Sequence, residues 1–317
     1  MSTVLSLQGL TVALPRGADR PEALRDVSLD LKAGEILCVV GESGSGKSMT
    51  ASAVMRLLPP NVTITAGSIS FEGQDLARAD EAAMRALRGS RIAMVFQEPM
   101  TALNPLRSIG DQIGETFRIH TSLTNAEIEE RVLALLSEVR IPDPARAARA
   151  FPHELSGGQR QRAMIAMALA LDPVVLIADE PTTALDVTTQ AQILTLIRDL
   201  QRRKGTAVLF ITHDFGVVAE IADRVAVMQH GLVVEQGLAA DVLHKPQHSY
   251  TKALIAAVPP LKAPPPRAIS TDSILVLEGV NKTYRTGGLL RRNRRETHAV
   301  RDVTLALPKG GTLGVVG

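Results

Sequence analysis

Near the N-terminus apolar and polar positions alternate with a period of two: Val4-Leu5-Ser6-Leu7, then Thr11-Val12-Ala13-Leu14, then Ala23-Leu24-Arg25-Asp26-Val27-Ser28-Leu29-Asp30-Leu31. That alternation predicts strand segments with one face buried. From Ile36 the pattern changes. Ile36-Leu37-Cys38-Val39-Val40, Val174-Val175-Leu176-Ile177-Ala178 and Ala207-Val208-Leu209-Phe210-Ile211 are apolar at every position, as strands covered on both faces are. Arg91-Ile92-Ala93-Met94-Val95-Phe96 predicts a further strand, and Arg224 to Gln236 a hairpin turning at His230-Gly231. From about Ser108 to Ala150 the strand signals stop. There Thr124-Asn125-Ala126-Glu127 reads as a capping box opening a helix through Ile128, Val132, Leu135 and Leu136. A long helical stretch then passes through Arg162, Ile165, Ala166, Leu169 and Ala170, with Asp172-Pro173 expected to end it, and another helix runs from about Thr188 to Arg203. The pattern is that of an α/β protein with a helical insertion.

Composition narrows the class. The 317 residues give room for one large domain plus a remainder, or two modest domains. A formal net charge of +2 produces no global field toward nucleic acid or an acidic surface, and 3% aromatics without tryptophan argue against base-stacking platforms. Cys38 is the single cysteine, so disulfides and cysteine metal clusters are excluded by count, and its place in an apolar strand predicts a buried free thiol suited to a reducing compartment. The longest apolar region, Ala163 to Ala178, is broken by Asp172-Pro173 and falls short of the ~20 residues a membrane span needs. Met1-Ser2-Thr3-Val4-Leu5 lacks the basic and apolar regions of a signal peptide, so the chain is expected in the cytoplasm, meeting a membrane only through a partner.

The chemistry centres on Gly41-Glu42-Ser43-Gly44-Ser45-Gly46-Lys47-Ser48, placed between the apolar strand at Ile36 and a helix-compatible stretch beginning at Met49. This fits a phosphate-binding P-loop: glycines let the backbone curl so that its N–H groups face phosphate oxygens, and the following helix offers its positive dipole end. Lys47 would reach the β- and γ-phosphates, and Ser48 would ligate Mg²⁺. Downstream, Asp179 and Glu180 end a buried strand: a cation needs a carboxylate, and an attacking water needs a base. Taken singly, other polar signals read blandly. Ser156-Gly157-Gly158 is a turn and helix N-cap, Gln97 a loop amide and His213 a strand-end histidine.

Together, however, these motifs stand in an order that resembles the nucleotide-binding subunit of ATP-binding cassette (ABC) transporters from about Leu5 to Pro259. The resemblance implies a P-loop NTPase ABC nucleotide-binding domain, α/β with a mixed sheet core and a helical subdomain at about 100–165. It identifies Gln97 as the Q-loop glutamine, Leu155-Ser156-Gly157-Gly158-Gln159 as the signature, Ala184-Leu185-Asp186 as the D-loop and His213 as the switch histidine. ATP and Mg²⁺ follow as cofactors: residues Gly41 to Met49 for the nucleotide, Ser48, Gln97 and Asp179 for the metal, and Glu180, His213 and Gln97 for catalysis. Ser156, Gly157, Gly158 and Gln159 would act in trans on nucleotide held by another subunit's P-loop. Gln97-Glu98-Pro99-Met100-Thr101-Ala102-Leu103-Asn104-Pro105, with His248-Ser249-Tyr250-Thr251-Lys252-Ala253-Leu254 and Val258-Pro259, is similar to the dipeptide/oligopeptide/nickel importer ATPases. The implied protein is the ATP-hydrolysing subunit of an importer for peptides or related small solutes. It would sit on the cytoplasmic face of the inner membrane with integral permease subunits, served indirectly by an extracytoplasmic solute-binding protein, and would have no nucleic-acid partner. One departure is Leu14, where the family offers an aromatic ring to stack on adenine.

The chain also repeats itself. Ile274-Leu275-Val276-Leu277-Glu278-Gly279 echoes Val4 to Gly9, Ala299-Val300-Arg301-Asp302-Val303-Thr304-Leu305 echoes Ala23 to Leu29, and Leu313-Gly314-Val315-Val316-Gly317 echoes Leu37 to Gly41. Tyr284 takes the place of Leu14 in this second copy. The expected organisation is an ABC ATPase domain over 1–259, a proline-rich linker over 260–273, and the truncated start of a second such domain over 274–317, as in importers whose two ATPases are fused. A second ATPase domain or subunit would complete the ATP sites. The strands from about Ile274 onward are expected to be poorly packed. Two further readings share the ATP motifs: a truncated ATP-binding remnant without turnover, and an ABC ATPase acting on nucleic acid or ribosomes. The short interval from Gln97 to Ser156 and the absence of zinc-ligand cysteines count against the latter.

Overall fold

The computed structural model describes residues 2–98, 102–183, 185–258, 269–286 and 295–315. Most of the proline-rich linker, Pro99, Met100 and Thr101 of the loop after Gln97, Ala184 of the D-loop, and Val316-Gly317 lie outside the described residues. The chain divides into two compact units, Met1–Pro259 and Pro260–Gly317.

In the first unit, β1 (Thr3–Ala13), β2 (Glu22–Lys32), β4 (Thr63–Phe71) and β5 (Gln74–Asp75) form an antiparallel sheet in the order β2-β1-β4-β5. The two alternating segments expected at the N-terminus are one strand. Its register with β2 shifts between Leu7 and Leu10, so the period of two slips at a bulge and the sequence reads as two pieces. A six-stranded sheet is made from β3 (Ile36–Val40), β6 (Ile92–Val95), β7 (Val175–Asp179), β8 (Ala207–Thr212), β9 (Arg224–Gln229) and β10 (Leu232–Leu238), ordered β10-β9-β3-β8-β7-β6. All its neighbouring pairs are parallel except β9 with β10.

The continuous apolar runs are explained by what covers this sheet. Along β3, Ile36, Cys38 and Val40 belong to one hydrophobic core, while Leu37 and Val39 belong to another. The same division holds for Leu176 and Ala178 against Val175 and Ile177 on β7, and for Val208 and Phe210 against Leu209 and Ile211 on β8. One core is shared with the antiparallel sheet, α1 (Lys47–Val54) and α2 (Glu81–Leu87). The other joins the sheet to α3 (Ile109–His120), α4 (Asn125–Glu138), α5 (Pro144–Arg149), α6 (Gly157–Ala168), α7 (Val187–Lys204) and α8 (Phe215–Ile221). Cys38 is buried there, and burial pushes its thiol up. Helix α4 opens with the expected capping box, Thr124 with Glu127. Helix α6 stops earlier than the Asp172-Pro173 signal implies. Its C-cap is Leu169, and Asp172 already sits in the left-handed region with φ 50°. Two short helices, α9 (Ala239–His244) and α10 (Ser249–Ala256), close the unit. Among the described residues no helix is long and apolar enough to cross a membrane.

The second unit contains an antiparallel hairpin of β11 (Ser273–Thr286) and β12 (Arg295–Pro308). Its local geometry reproduces β1 and β2. Asp26 and Asp302 both adopt φ 48°, and the N–H groups of Gly9 and Gly279 donate to Ser28 Oγ and Thr304 Oγ1, each at 3.0 Å. Hydrophobic positions that are buried in the first copy are less covered in the second: Leu5 is 1% exposed and Leu275 48%, while Leu277, Val303 and Leu305 are half-buried where Leu7, Val27 and Leu29 are buried.

Candidate functional site

Four of the parallel strands carry the candidate residues at their carboxyl ends, where open α/β sheets place ligands. The P-loop follows β3, Gln97 follows β6, Glu180 follows β7 and His213 follows β8. Because β3, β8, β7 and β6 are neighbours in that order, residues far apart in sequence converge.

The loop from Gly41 to Ser48 wraps the start of α1. Gly46, its N-cap, has φ 108°, and a Cβ there would lie 2.8 Å from Leu24 Cδ2, so only glycine fits the turn. Gly41 has φ 152° and leaves no space between it and the Met228 carbonyl, which a Cβ would approach to 2.2 Å. Lys47 is buried and curls back over its own loop, donating from Nζ to Gly41 O at 2.8 Å and Glu42 O at 2.9 Å. Burial lowers its pKa, with the charges of Glu180 and Asp179 opposing the shift. Ser48 donates its hydroxyl to Asp179 Oδ1 at 3.0 Å. Asp179 is itself buried, and desolvation raises its carboxyl above the ordinary range despite the Ser48 bond. Ser43, Gly44, Ser45 and Met49 complete the loop and the first turn; Ser45 Oγ is buried without a hydrogen-bond partner.

Glu180 departs from regular strand geometry. Its φ of 45° is uncommon for a non-glycine residue and is held by its N–H donating to Ile211 O at 2.9 Å. That turn aims its carboxylate at three partners. Oε2 accepts from Gln97 Nε2 at 3.1 Å and from Thr183 Oγ1 at 2.8 Å, and it lies 3.2 Å from His213 Nδ1. Gln97, Glu180 and His213 are thus one cluster. Thr183, which the sequence reading passed over, belongs to it; its place three residues after Glu180 was the available signal.

A second grouping joins the signature to the D-loop. Ser156 and Gln159 form a capping box on α6: Ser156 N–H donates to Gln159 Oε1 at 3.0 Å, and Gln159 N–H donates to Ser156 Oγ at 3.3 Å. Asp186 caps α7, accepting Thr189 N–H at 2.9 Å and Thr189 Oγ1 at 2.7 Å, and these bonds hold its carboxyl below the usual range. Gly158 brings the two helices together, since a Cβ on it would lie 2.7 Å from Thr189 Cγ2. Between them Gly157, Gln159, Asp186 and Thr189 line a cavity of about 350 Å³. Leu14, by contrast, packs half-buried against the core of the antiparallel sheet.

The donor set suits a hard cation. Ser48 and Asp179 present oxygens side by side. Among the described residues no group of three or more His, Cys, Asp or Glu is placed to hold a metal. Two adjacent protein oxygens match sites where Mg²⁺ keeps its waters and shares phosphate oxygens.

The comparisons with known proteins agree with this geometry. Residues 24–183 match the family model described as ABC transporter. The chain is 50% identical over 262 residues to the dipeptide transport ATP-binding protein of Bacillus subtilis (strain 168), covering 82% of this chain and 78% of that one. It is 49% identical over 317 residues to the peptidoglycan transport ATP-binding protein of Agrobacterium fabrum (strain C58 / ATCC 33970), covering 99% of this chain and 58% of the relative. The glutathione import ATP-binding protein of Escherichia coli (strain K12) is 44% identical over 351 residues, with 99% and 56% covered. The chain thus spans little more than half the length of the latter two relatives. Among solved structures, the dimeric post-hydrolysis ATP-binding cassette MJ0796 bound to ADP and Pi is similar with a TM-score of 0.67 at 30% identity, over 74% of this chain and 98% of that one. By its P-loop, its sheet and these relatives, the chain belongs to the ABC transporter family.

Proposed function

We propose that this chain binds MgATP at the Gly41–Ser48 loop and hydrolyses it to ADP and phosphate, so as to power a membrane importer. The observation that carries the reading is the convergence of Lys47, Ser48, Asp179, Glu180, Gln97 and His213 at the carboxyl ends of adjacent strands. Lys47 would exchange its two loop carbonyls for phosphate oxygens, which its buried position and neighbouring N–H groups favour. Ser48 and Asp179 would hold Mg²⁺, with Gln97 alongside; when bound, the ion would supply positive charge that offsets the charge of the phosphates. Glu180 would orient the attacking water and accept its proton, and Gln97 and His213, both hydrogen-bonding distance from Glu180, would set the carboxylate's direction and contact the γ-phosphate region.

The signature residues Ser156 and Gly158, at the N-terminus of α6, would face nucleotide held by a second P-loop, so that ATP joins two cassettes head to tail and its hydrolysis lets them part. The dimeric state of the similar cassette MJ0796 supports this arrangement. The second cassette would be another subunit or a fused domain. The β11–β12 hairpin, repeating β1–β2 with Leu275 open where Leu5 is buried, supports a second cassette beginning in the same polypeptide. The names of the relatives, which speak of peptidoglycan and dipeptide transport and glutathione import, support peptides or related small solutes as cargo; integral permease subunits at the inner membrane would be the partners. Equilibrium binding tests the core of the reading: wild-type chain should bind MgATP, and Lys47→Ala should weaken binding by at least about tenfold, the loss of one charge-assisted contact to phosphate. Equal binding by both would refute it.

A further inference from the structure

Tyr250 stands in the first turn of α10, 208 residues along the chain from Glu42, yet its hydroxyl oxygen accepts the Glu42 backbone N–H at 3.1 Å. Glu42 is the corner of the P-loop. Its carbonyl accepts from Lys47 Nζ at 2.9 Å and from the Ser45 N–H at 3.2 Å. The two peptide planes at this residue therefore have fixed partners on either side, one from α10 and one from the loop's own lysine.

The tyrosine is in turn held firmly. Glu235 on β10 accepts the N–H groups of Gln247 at 2.7 Å and His248 at 3.0 Å, and His248 Nδ1 accepts the Tyr250 N–H at 3.2 Å. The ring packs half-buried against the larger core, and burial raises its pKa. On the other side of the loop, Arg20 Nη2 donates to Gly44 O at 2.7 Å. Tyr250, Arg20, Glu42 and Ser45 line one cavity of about 210 Å³ beside the loop, and Ser45 Oγ is buried without a hydrogen-bond partner.

We propose that Tyr250 is a positioning residue for the phosphate-binding loop: its hydroxyl fixes the Glu42 peptide so that the N–H groups after it are arrayed for phosphate before nucleotide arrives. This rests on the nucleotide reading above. Glu42 is exposed, so water would take its N–H if the phenol were absent. The value of the bond is consequently preorganisation: a loop not held in this shape must be ordered at the expense of binding energy.

The test is equilibrium binding of MgATP and MgADP to the full chain, comparing wild type with Tyr250→Phe and Tyr250→Ala. Phenylalanine keeps the ring and its packing and removes only the oxygen. It should raise both dissociation constants about fivefold, the scale of one hydrogen bond, without moving the melting temperature of the nucleotide-free chain. Alanine should weaken binding further and also lower that temperature. Unchanged binding by Tyr250→Phe overturns the proposal, as does a loss matched by a fall in nucleotide-free stability. A wild-type chain that binds neither nucleotide overturns the nucleotide reading itself, and the proposal with it.

Discussion

The Ser48 hydroxyl donates to the Asp179 carboxylate across 3.0 Å, joining residues 131 positions apart in sequence. One follows β3 and the other ends β7, so the sheet order rather than local sequence makes the pair. It defines an oxygen site beside Lys47. Replacing the carboxylate while keeping its shape, Asp179→Asn, retains an acceptor for Ser48 but removes the charge. The variant should lose most of the Mg²⁺ dependence of ATP binding, and its ATPase rate should fall about 10²-fold or more. Calorimetric titration of ATP with and without Mg²⁺, alongside phosphate release, checks both.

The same substitution has a pH signature without nucleotide. Burial raises the Asp179 carboxyl above its ordinary value of 3.8, so folding disfavours its charged form relative to the unfolded chain. A carboxyl with a raised folded pKa contributes stability that is fully present below its unfolded pKa and is lost as pH rises through the folded pKa. At neutral pH the wild-type chain therefore carries a buried charge at a cost, which Asp179→Asn removes. Denaturant unfolding should find the variant more stable at neutral pH, with the advantage shrinking near pH ~4. An advantage that grows on acidification would contradict the burial argument.

Gly158 and Thr189 supply a packing test of the signature. A Cβ on Gly158 meets Thr189 Cγ2 at 2.7 Å, while Thr189 Oγ1 is bonded to Asp186 at 2.7 Å. Gly158→Ala should cost about 1–3 kcal/mol of stability through overpacking. Thr189→Ser deletes the offending methyl and keeps the hydroxyl, so the double variant should recover at least about 0.5 kcal/mol of that loss in a double-mutant cycle. Additive effects would mean the two helices do not meet as described.

Much of this site is legible in the sequence because each part ends a strand that is apolar at every position. The runs before Gly41, Asp179 and Thr212 announce buried parallel strands, and polar residues directly after such strands stand where ligands bind. What is illegible has physical causes. Residues 63–87 yielded no reading: β4 is largely exposed over Thr63 to Ser68, and its register with β1 shifts between Gln8 and Val12, so its alternation changes phase midway. Glu180's left-handed backbone is set by the Ile211 carbonyl, a neighbour only in the folded sheet. Tyr250 stands within a recognisable stretch of sequence, but its bond to Glu42 depends on where Glu235 holds the start of α10.

Glu180, clustered with Gln97, Thr183 and His213, is proposed to activate water against bound ATP. The most direct measurement is the ATPase rate of Glu180→Gln beside wild type, with MgATP affinity determined on the same samples. The predicted result is a fall of about 10²–10⁴-fold in rate, the contribution of a general base, with affinity retained. Hydrolysis that survives the substitution, at unchanged affinity, would contradict it.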